Sequence, residues 1–354
     1  MRKIKSHQKY NESQRQKNKK RLKRKLSHKK RLENWKNELK DNFSEIYKNY
    51  RLEEVKVKSP ENLSLIQEPE KVIDYLEKIE NISSERKTVL CDLSDIEGLT
   101  SDAIIAIIAL SNDPKVKRNG RIVGNVPKNQ KLADKFYDSG IFGEQRIKFA
   151  DGAIRQAHGA IFRKHNTQVK ADVASALIKF STEKLFGEPL KLKGVYTTLI
   201  ECMNNTINHA TLDEDDREVW WATVYFDEER KIAFFNFLDN GVGILESLDL
   251  KWHNNIKLKA GLKDNSQILR EVLEGKIGSR IGLSYRGKGL PEIYKRFKRE
   301  QFSRLIIIAN NVFADVEKDD FRILNKPFKG TFFHWEISYD KYNELAANDG
   351  SHSE

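Results

Sequence analysis

Residues Glu201-Cys-Met-Asn204-Asn205-Thr-Ile-Asn208-His209-Ala210 carry two helical stripes in one short stretch. Leu199, Met203, Thr206, Ile207 and Ala210 recur at three- and four-residue spacing, which predicts a helix with one buried face. Glu201, Asn205 and Asn208 fall a turn apart on the neighbouring face, so a carboxylate and two amides can converge on one point. Such a group can hold a hydrated divalent cation and orient a water. A surface helix with scattered polar residues explains the same spacing.

The residues beyond this helix narrow the choice. Trp220–Phe226 and Lys231–Leu238 are rich in β-branched and aromatic residues and predict two strands, joined by a turn at Asp227–Arg230. The second strand runs into Asp239-Asn-Gly241-Val-Gly243. Glycines at that spacing let the backbone turn tightly and a flat ring approach, and the carboxylate can accept from an exocyclic amine. Ordinary hairpin turns use the same pattern. Leu250–Ser284 is a long polar insertion punctuated by Gly261, Gly275, Gly278 and Gly282, and is expected to act as a lid. It ends in Arg286-Gly287-Lys288-Gly289-Leu290-Pro291, opening a helix over Glu292–Arg299. Glycines with Arg and Lys before a helix N-terminus suit phosphates, or form a plain loop-to-helix turn. Ser303–Ala309, Phe321–Leu324 and Gly330–Ile337 predict the closing strands of an antiparallel-leaning sheet. The Thr331 hydroxyl is placed to touch a phosphate or to cap the turn.

The first half has a different character. Residues 1–40 hold 17 Lys/Arg against 3 Glu, a net of +14, so the rest of the chain sums to about −2 of the overall +12. Residues 1–34 have too few apolar side chains to fold alone. Trp35, Leu39, Phe43, Ile46, Tyr47 and Tyr50 then extend an amphipathic helix to about residue 52. Clustered Lys/Arg gains affinity for nucleic acid or another polyanion by counterion release; a solubilising tail has the same composition. Residues 53–85 form a linker and a helix over Glu70–Ile82. Lys87–Leu93, the apolar helix Ala103–Leu110 behind Thr100-Ser101-Asp102, Gly120–Val126 and the helix opened by Pro127 predict a small α/β layer with parallel strands. Thr100 and Ser101 read as helix caps. Residues 146–170 are expected to be a helical connector holding His158 and His165, and 341–354 a polar tail. No run is long enough for a membrane span and no secretory signal is evident. Cys91 and Cys202 are expected to be reduced core thiols in a cytoplasmic protein.

Two families are resembled. Glu201–Ala210, the box starting at Asp239, Arg286–Leu290 and Gly330-Thr331 resemble, in this order, the motifs of the GHKL ATP-binding fold shared by histidine kinases, type II topoisomerases and MutL, over about residues 171–340. The resemblance implies ATP and Mg²⁺ as cofactors, with Asn205 as the metal ligand and Asp239 on the adenine amine. It implies that Gly241 and Gly243 border the adenine, and that Arg286, Gly287, Lys288, Gly289 and Thr331 serve the phosphates and the pocket. Glu201 matches the catalytic position that activates water in hydrolysing members and assists phosphoryl transfer in kinases; Asn208 and His209 lie at the rim. Residues 86–145, from Val89-Leu-Cys-Asp92 through Ser101 to Ser139-Gly140, resemble the STAS domains of anti-sigma-factor antagonists, with Ser101 or Thr100 nearest the phosphorylated serine. The expected fold class is therefore α/β: a GHKL-type α/β sandwich (a mixed sheet with helices on one face), a small STAS-like α/β domain and a basic N-terminal helix.

Neither a phosphoacceptor helix nor the length for a transducer domain after Ser338 is evident, which sets histidine kinases and topoisomerases aside as expectations. An ATPase switch with a polyanion-binding arm leads. A Ser/Thr protein kinase acting on a STAS partner and an ATP-binding scaffold with little hydrolysis are the alternatives, and a homodimer is compatible with each.

Overall fold

Strands buried on both faces decide the architecture. In β8 (Ile232–Asp239), Ala233, Phe235 and Phe237 point one way while Asn236 and Leu238 point the other, and all five are buried. The computed structural model describes residues 53–113, 116, 119–138, 159–165, 169–208, 219–248, 264–279 and 288–342. Those from Glu54 onward belong to one unit.

Its centre is a five-stranded sheet built of β6 (Gly159–His165), β7 (Val219–Asp227), β8, β9 (Ser303–Asp315) and β10 (Asp320–Ser338), in the order β6-β7-β8-β10-β9. Every neighbouring pair is antiparallel. The expected mixed sheet is thus corrected. Connections between neighbouring strands are short turns in two of the four pairs, and such turns can only join antiparallel strands. Phe321–Leu324 and Gly330–Ile337, expected as separate strands, are both part of β10, which absorbs the interval through register shifts around Phe328. Gly159–His165 lies in the expected helical connector and is instead an edge strand on β7.

One face of the sheet carries helices from the second half of the chain. These are α4 (Ala171–Phe186), α5 (Lys193–Asn208), α6 (Asn265–Leu273), α7 (Lys276–Ser279) and α8 (Gly289–Lys298). Leu177, Leu199, Met203 and Leu269 meet Phe235, Phe237, Ile307 and Trp335 in this core. Asp264 caps α6, accepting from the backbone of Ser266 and Gln267 at 2.9 and 3.2 Å. With Ile268, Leu269, Leu273 and Ile277 buried, α6 and α7 are part of the core. Residues 264–279 of the expected lid are thus helical and packed on the core through these side chains; residues 250–263 and 280–284 lie outside the described residues.

The helices of residues 171–298 share one face, as expected, and the other face is covered by the first half of the chain. A three-stranded parallel sheet, β1-β3-β5 (Glu54–Lys58, Thr88–Asp92, Arg121–Gly124), accompanies α1 (Pro69–Ser84), α2 (Ser101–Asn112) and α3 (Gln130–Asp138). A short parallel pair, β2 (Asn62–Leu63) with β4 (Gly98–Leu99), leads into α2. Among the described residues the strand order of the small sheet follows chain order without reversal. Instead α1 and α2 lie against the large sheet, where Ile104 and Ile105 share a cluster with Trp221, Leu238, Ile306, Ile308 and Phe332. Each of these side chains is worth about 1.5–3 kcal/mol when withdrawn from water. Cys91 and Cys202 are both buried and unpaired. No described helix is long and apolar enough to cross a membrane.

Candidate functional site

The helix α5 carries polar residues to two places at once. Its buried apolar stripe, Val195, Leu199, Cys202 and Met203, sits on the sheet, as the spacing requires. At its C-terminal turn, Thr206 is buried and its hydroxyl lies 3.4 Å from Asp239 Oδ2, while also donating to the Cys202 carbonyl at 3.2 Å.

Asp239 closes β8 inside the protein. Its Oδ1 accepts from the backbone N–H of Gly241 at 3.0 Å and of Thr331 at 3.1 Å. Thr331 is its cross-strand partner on β10. Burial raises the Asp239 carboxyl to about 6, against the pull of these hydrogen bonds. Both backbone donors fall on Oδ1, Oδ2 has the long contact to Thr206, and the Thr331 side chain adds a further hydrogen bond to the carboxylate. Gly330 has φ +88°, and a β-carbon there would fall 1.9 Å from the Asp239 carbonyl oxygen, so only glycine fits. Thr331 thus stands beside Asp239 and braces it.

The loop after Asp239 is held by Asn310. This side chain accepts from Leu245 N–H and donates to the Val242 carbonyl, each at 2.9 Å. A β-carbon on Gly243, φ +85°, would strike it at 2.6 Å. Asn310 has φ 53° on β9, next to the register shift opposite Phe328. Sequence reasoning missed Asn310. Its signal is a pair of asparagines interrupting the apolar run of β9, the mark of a bulge turned to local use.

A turn further back along α5, Glu201 and Asn205 face the start of α8. A β-carbon on Gly289 would lie 2.9 Å from Glu201 Oε2 and 3.1 Å from Asn205 Oδ1. The absence of a side chain there lets the helix N-terminus reach both groups. Glu201 is half-buried, and its carboxyl is raised by burial first and by the neighbouring Glu292 second, with a hydrogen bond from Asn204 opposing. Glu292 itself is held by Arg296 at 2.5 Å, one turn along α8. Asn205 Nδ2 is buried and has no partner among the described residues.

The structure therefore brings Glu201, Asn205 and Gly289 together, and Asp239, Gly241 and Thr331 together, with α5 joining the groups and Gly243 set against Asn310. Lys288 is exposed at the N-terminal end of α8. Asn208 is the last residue of α5, and its side chain, like His209, Arg286 and Gly287, lies outside the described residues. Among the described residues no cluster of three or more His, Cys, Asp or Glu could hold a metal unaided, so a cation at Asn205 would need ligand oxygens from a bound molecule. Compared with models of known protein families the chain matches none, and no characterised protein shows detectable sequence similarity to it.

Ser101 lies elsewhere. Asn236 donates to its Oγ at 3.1 Å from the face of β8 opposite to Asp239. Thr100 occupies the cap position of α2 but spends its hydroxyl on the Leu63 carbonyl at 3.0 Å, so neither residue caps the helix through its side chain.

Proposed function

We propose that this protein binds ATP with Mg²⁺ in a GHKL-like site and hydrolyses it as a conformational switch. The observation that carries this is the double placement of α5, with Thr206 against the buried Asp239 and Glu201 and Asn205 against Gly289. A buried carboxylate held by backbone donors is suited to accept from the exocyclic amine of adenine in place of, or beside, its long contact to Thr206. The loop through Gly243, pinned by Asn310, follows directly on that carboxylate and would border the ring.

The residues present fit a hydrated magnesium ion bound with its nucleotide. Asn205 would offer Oδ1 to the ion and its unpaired Nδ2 as a donor, and the phosphates would complete the ligand set near the N–H groups that open α8. The bound ion would neutralise phosphate charge. Glu201 would accept a proton from the attacking water, and its raised carboxyl makes it a better base than an exposed glutamate.

The place of Ser101 speaks against phosphoryl transfer to it within one chain, since the thickness of the sheet separates it from Glu201. The basic N-terminal segment remains a proposed polyanion-binding arm. Deleting residues 1–34 should reduce nucleic-acid binding and its salt dependence.

Incubation with γ-labelled ATP is the test. Free phosphate is expected, lost in Glu201→Ala with nucleotide binding retained. Labelled protein would point to a kinase. Undiminished phosphate release by Glu201→Ala would remove Glu201 as the base, and unchanged ATP affinity in Asp239→Asn would remove the nucleotide assignment.

A further inference from the structure

The helices α5 and α8 run antiparallel, and the start of one and the end of the other gather positive charge at a shared corner. Gly289 opens α8 beside Glu201 and Asn205, while Gly194 near the start of α5 lies against Gln301, just past the end of α8. A β-carbon on Gly194 would come within 2.5 Å of the glutamine side chain. Arg296 Nη1 donates to the Gln301 side-chain oxygen at 3.3 Å, which ties the corner down. Around it stand Lys295, Lys298 and Arg299 at the end of α8, and Lys191 and Lys193 at the entry to α5, all exposed. None of these five has a carboxylate partner among the described residues, whereas the neighbouring Arg296 is tied to Glu292. Two exposed acids adjoin them in the chain, Glu188 and Glu300, so five cations face two carboxylates and the surface stays positive.

Helix stability accounts for only part of this charge. Cations in the last turn of α8 offset its carbonyl end. Lys193 instead opens α5, where the N–H end of a helix disfavours a cation, and the first turn of α5 holds no acid. The kind of partner follows from what surrounds the cations. Of the four large apolar side chains exposed among the described residues, Tyr196 alone belongs to these two helices. One ring is too little apolar surface to seat a helix in a bilayer. Single-stranded nucleic acid is held by several stacked aromatics, which this corner lacks. Cations a turn apart with little else between them suit the regularly spaced phosphates of a duplex.

We propose that the corner formed by the end of α8 and the start of α5 docks a nucleic-acid duplex, held through its phosphates by Lys191, Lys193, Lys295, Lys298 and Arg299. The surface uses residues of the folded unit rather than the basic segment of residues 1–40, and it does not require that a nucleotide be bound. A duplex held there rests on the helix whose other end faces Glu201 and Asn205.

The experiment titrates a fluorescein-labelled DNA duplex, and separately an RNA duplex, with the nucleotide-free full chain, read by anisotropy over a series of salt concentrations. Saturable binding of at least one duplex is expected. Lys295→Ala, Lys298→Ala and Arg299→Ala combined should weaken it at least about tenfold and lower the salt slope by about two to three, since each phosphate contact contributes about 0.9. Lys191→Ala with Lys193→Ala should lower the slope by about two. Lys58, Lys78 and Lys131, exposed in the first half of the chain, give a control that removes the same charge elsewhere, and their joint replacement by alanine should leave the slope unchanged. Equal losses in the control and the α8 variant, tighter binding of a single strand, or no binding of either duplex would overturn the surface, as would binding only to vesicles of phosphatidylcholine and phosphatidylserine. A slope that falls on deletion of residues 1–34 but not in the folded α8 variant would remove this surface and leave the arm standing. ATP affinity plays no part in the outcome, so failure of the nucleotide reading leaves the duplex result intact.

Discussion

Gly330 lies so close behind Asp239 that a β-carbon on it would sit 1.9 Å from the aspartate's carbonyl oxygen. The two are adjacent across β8 and β10, and the glycine adopts φ +88° to let Thr331 turn its N–H onto the carboxylate. Gly330→Ala should therefore cost about 2–4 kcal/mol, from both the collision and the strained backbone. Urea unfolding measures this, and loss of nucleotide affinity in the folded fraction should accompany it.

Asp239 should also govern a pH dependence. Its carboxyl is raised by burial to about 6, so between roughly pH 4 and pH 6 the folded chain holds a proton that the unfolded chain has released. Stability then falls as pH rises through that window, by about 3 kcal/mol in total from this group. Asp239→Asn removes the charge and should flatten this part of the curve. A variant as pH-sensitive as the parent over that window would show that the carboxylate is not desolvated.

A third expectation concerns the back of the sheet. Asn236 is fully buried; its amide donates to Ser101 and Thr223, and its Oδ1 meets His334 Nδ1 at 2.8 Å. His334 in turn faces Glu336, which Arg304 reaches at 3.1 Å. Asn236→Ala leaves His334 and Thr223 short of partners away from water and should destabilise by about 2–4 kcal/mol. Ser101→Ala removes one end only and should cost about 1 kcal/mol. Thermal unfolding of both variants separates a connected network from a single contact.

The ion pairs between α1 and β10 should matter less. Lys326 reaches Asp74 at 2.8 Å and Glu77 at 2.6 Å, and Lys329 reaches Glu80, all at the surface. Lys326→Ala should shift the melting temperature far less than Asn236→Ala. The difference from the parent should vanish in about 1 M salt, where such pairs are screened. A large shift insensitive to salt would mean that Lys326 contributes through packing.

Local patterns in the sequence made several elements legible. The stripe of α5, the hairpin of β7 and β8, and the residues that end β8 all announce themselves within about fifteen neighbouring positions. Gly159–His165 does not, because only Ala160, Ile161 and Phe162 form its apolar run and its strand character comes from pairing with β7. Asn310 was invisible for a similar reason, its partners Val242 and Leu245 being more than sixty residues away. Coverage of both sheet faces left a trace that could have been used. Leu305-Ile-Ile-Ile308 is a continuous apolar run, which is what a strand buried on both sides shows, where an alternating one would have fitted a sheet with an open face.

The two-sided burial of that sheet sets a limit on how the molecule can be taken apart. Trp221, Leu238, Ile306, Ile308 and Phe332 are covered by helices encoded before residue 113. A shortened chain beginning after residue 138 would turn these side chains out to water as one sticky plane across the middle strands, and such a fragment is expected to be recovered as aggregate. The amino-terminal helices are thus an obligatory half of the folding unit, and whatever chemistry the site performs must be assayed in a chain that retains them.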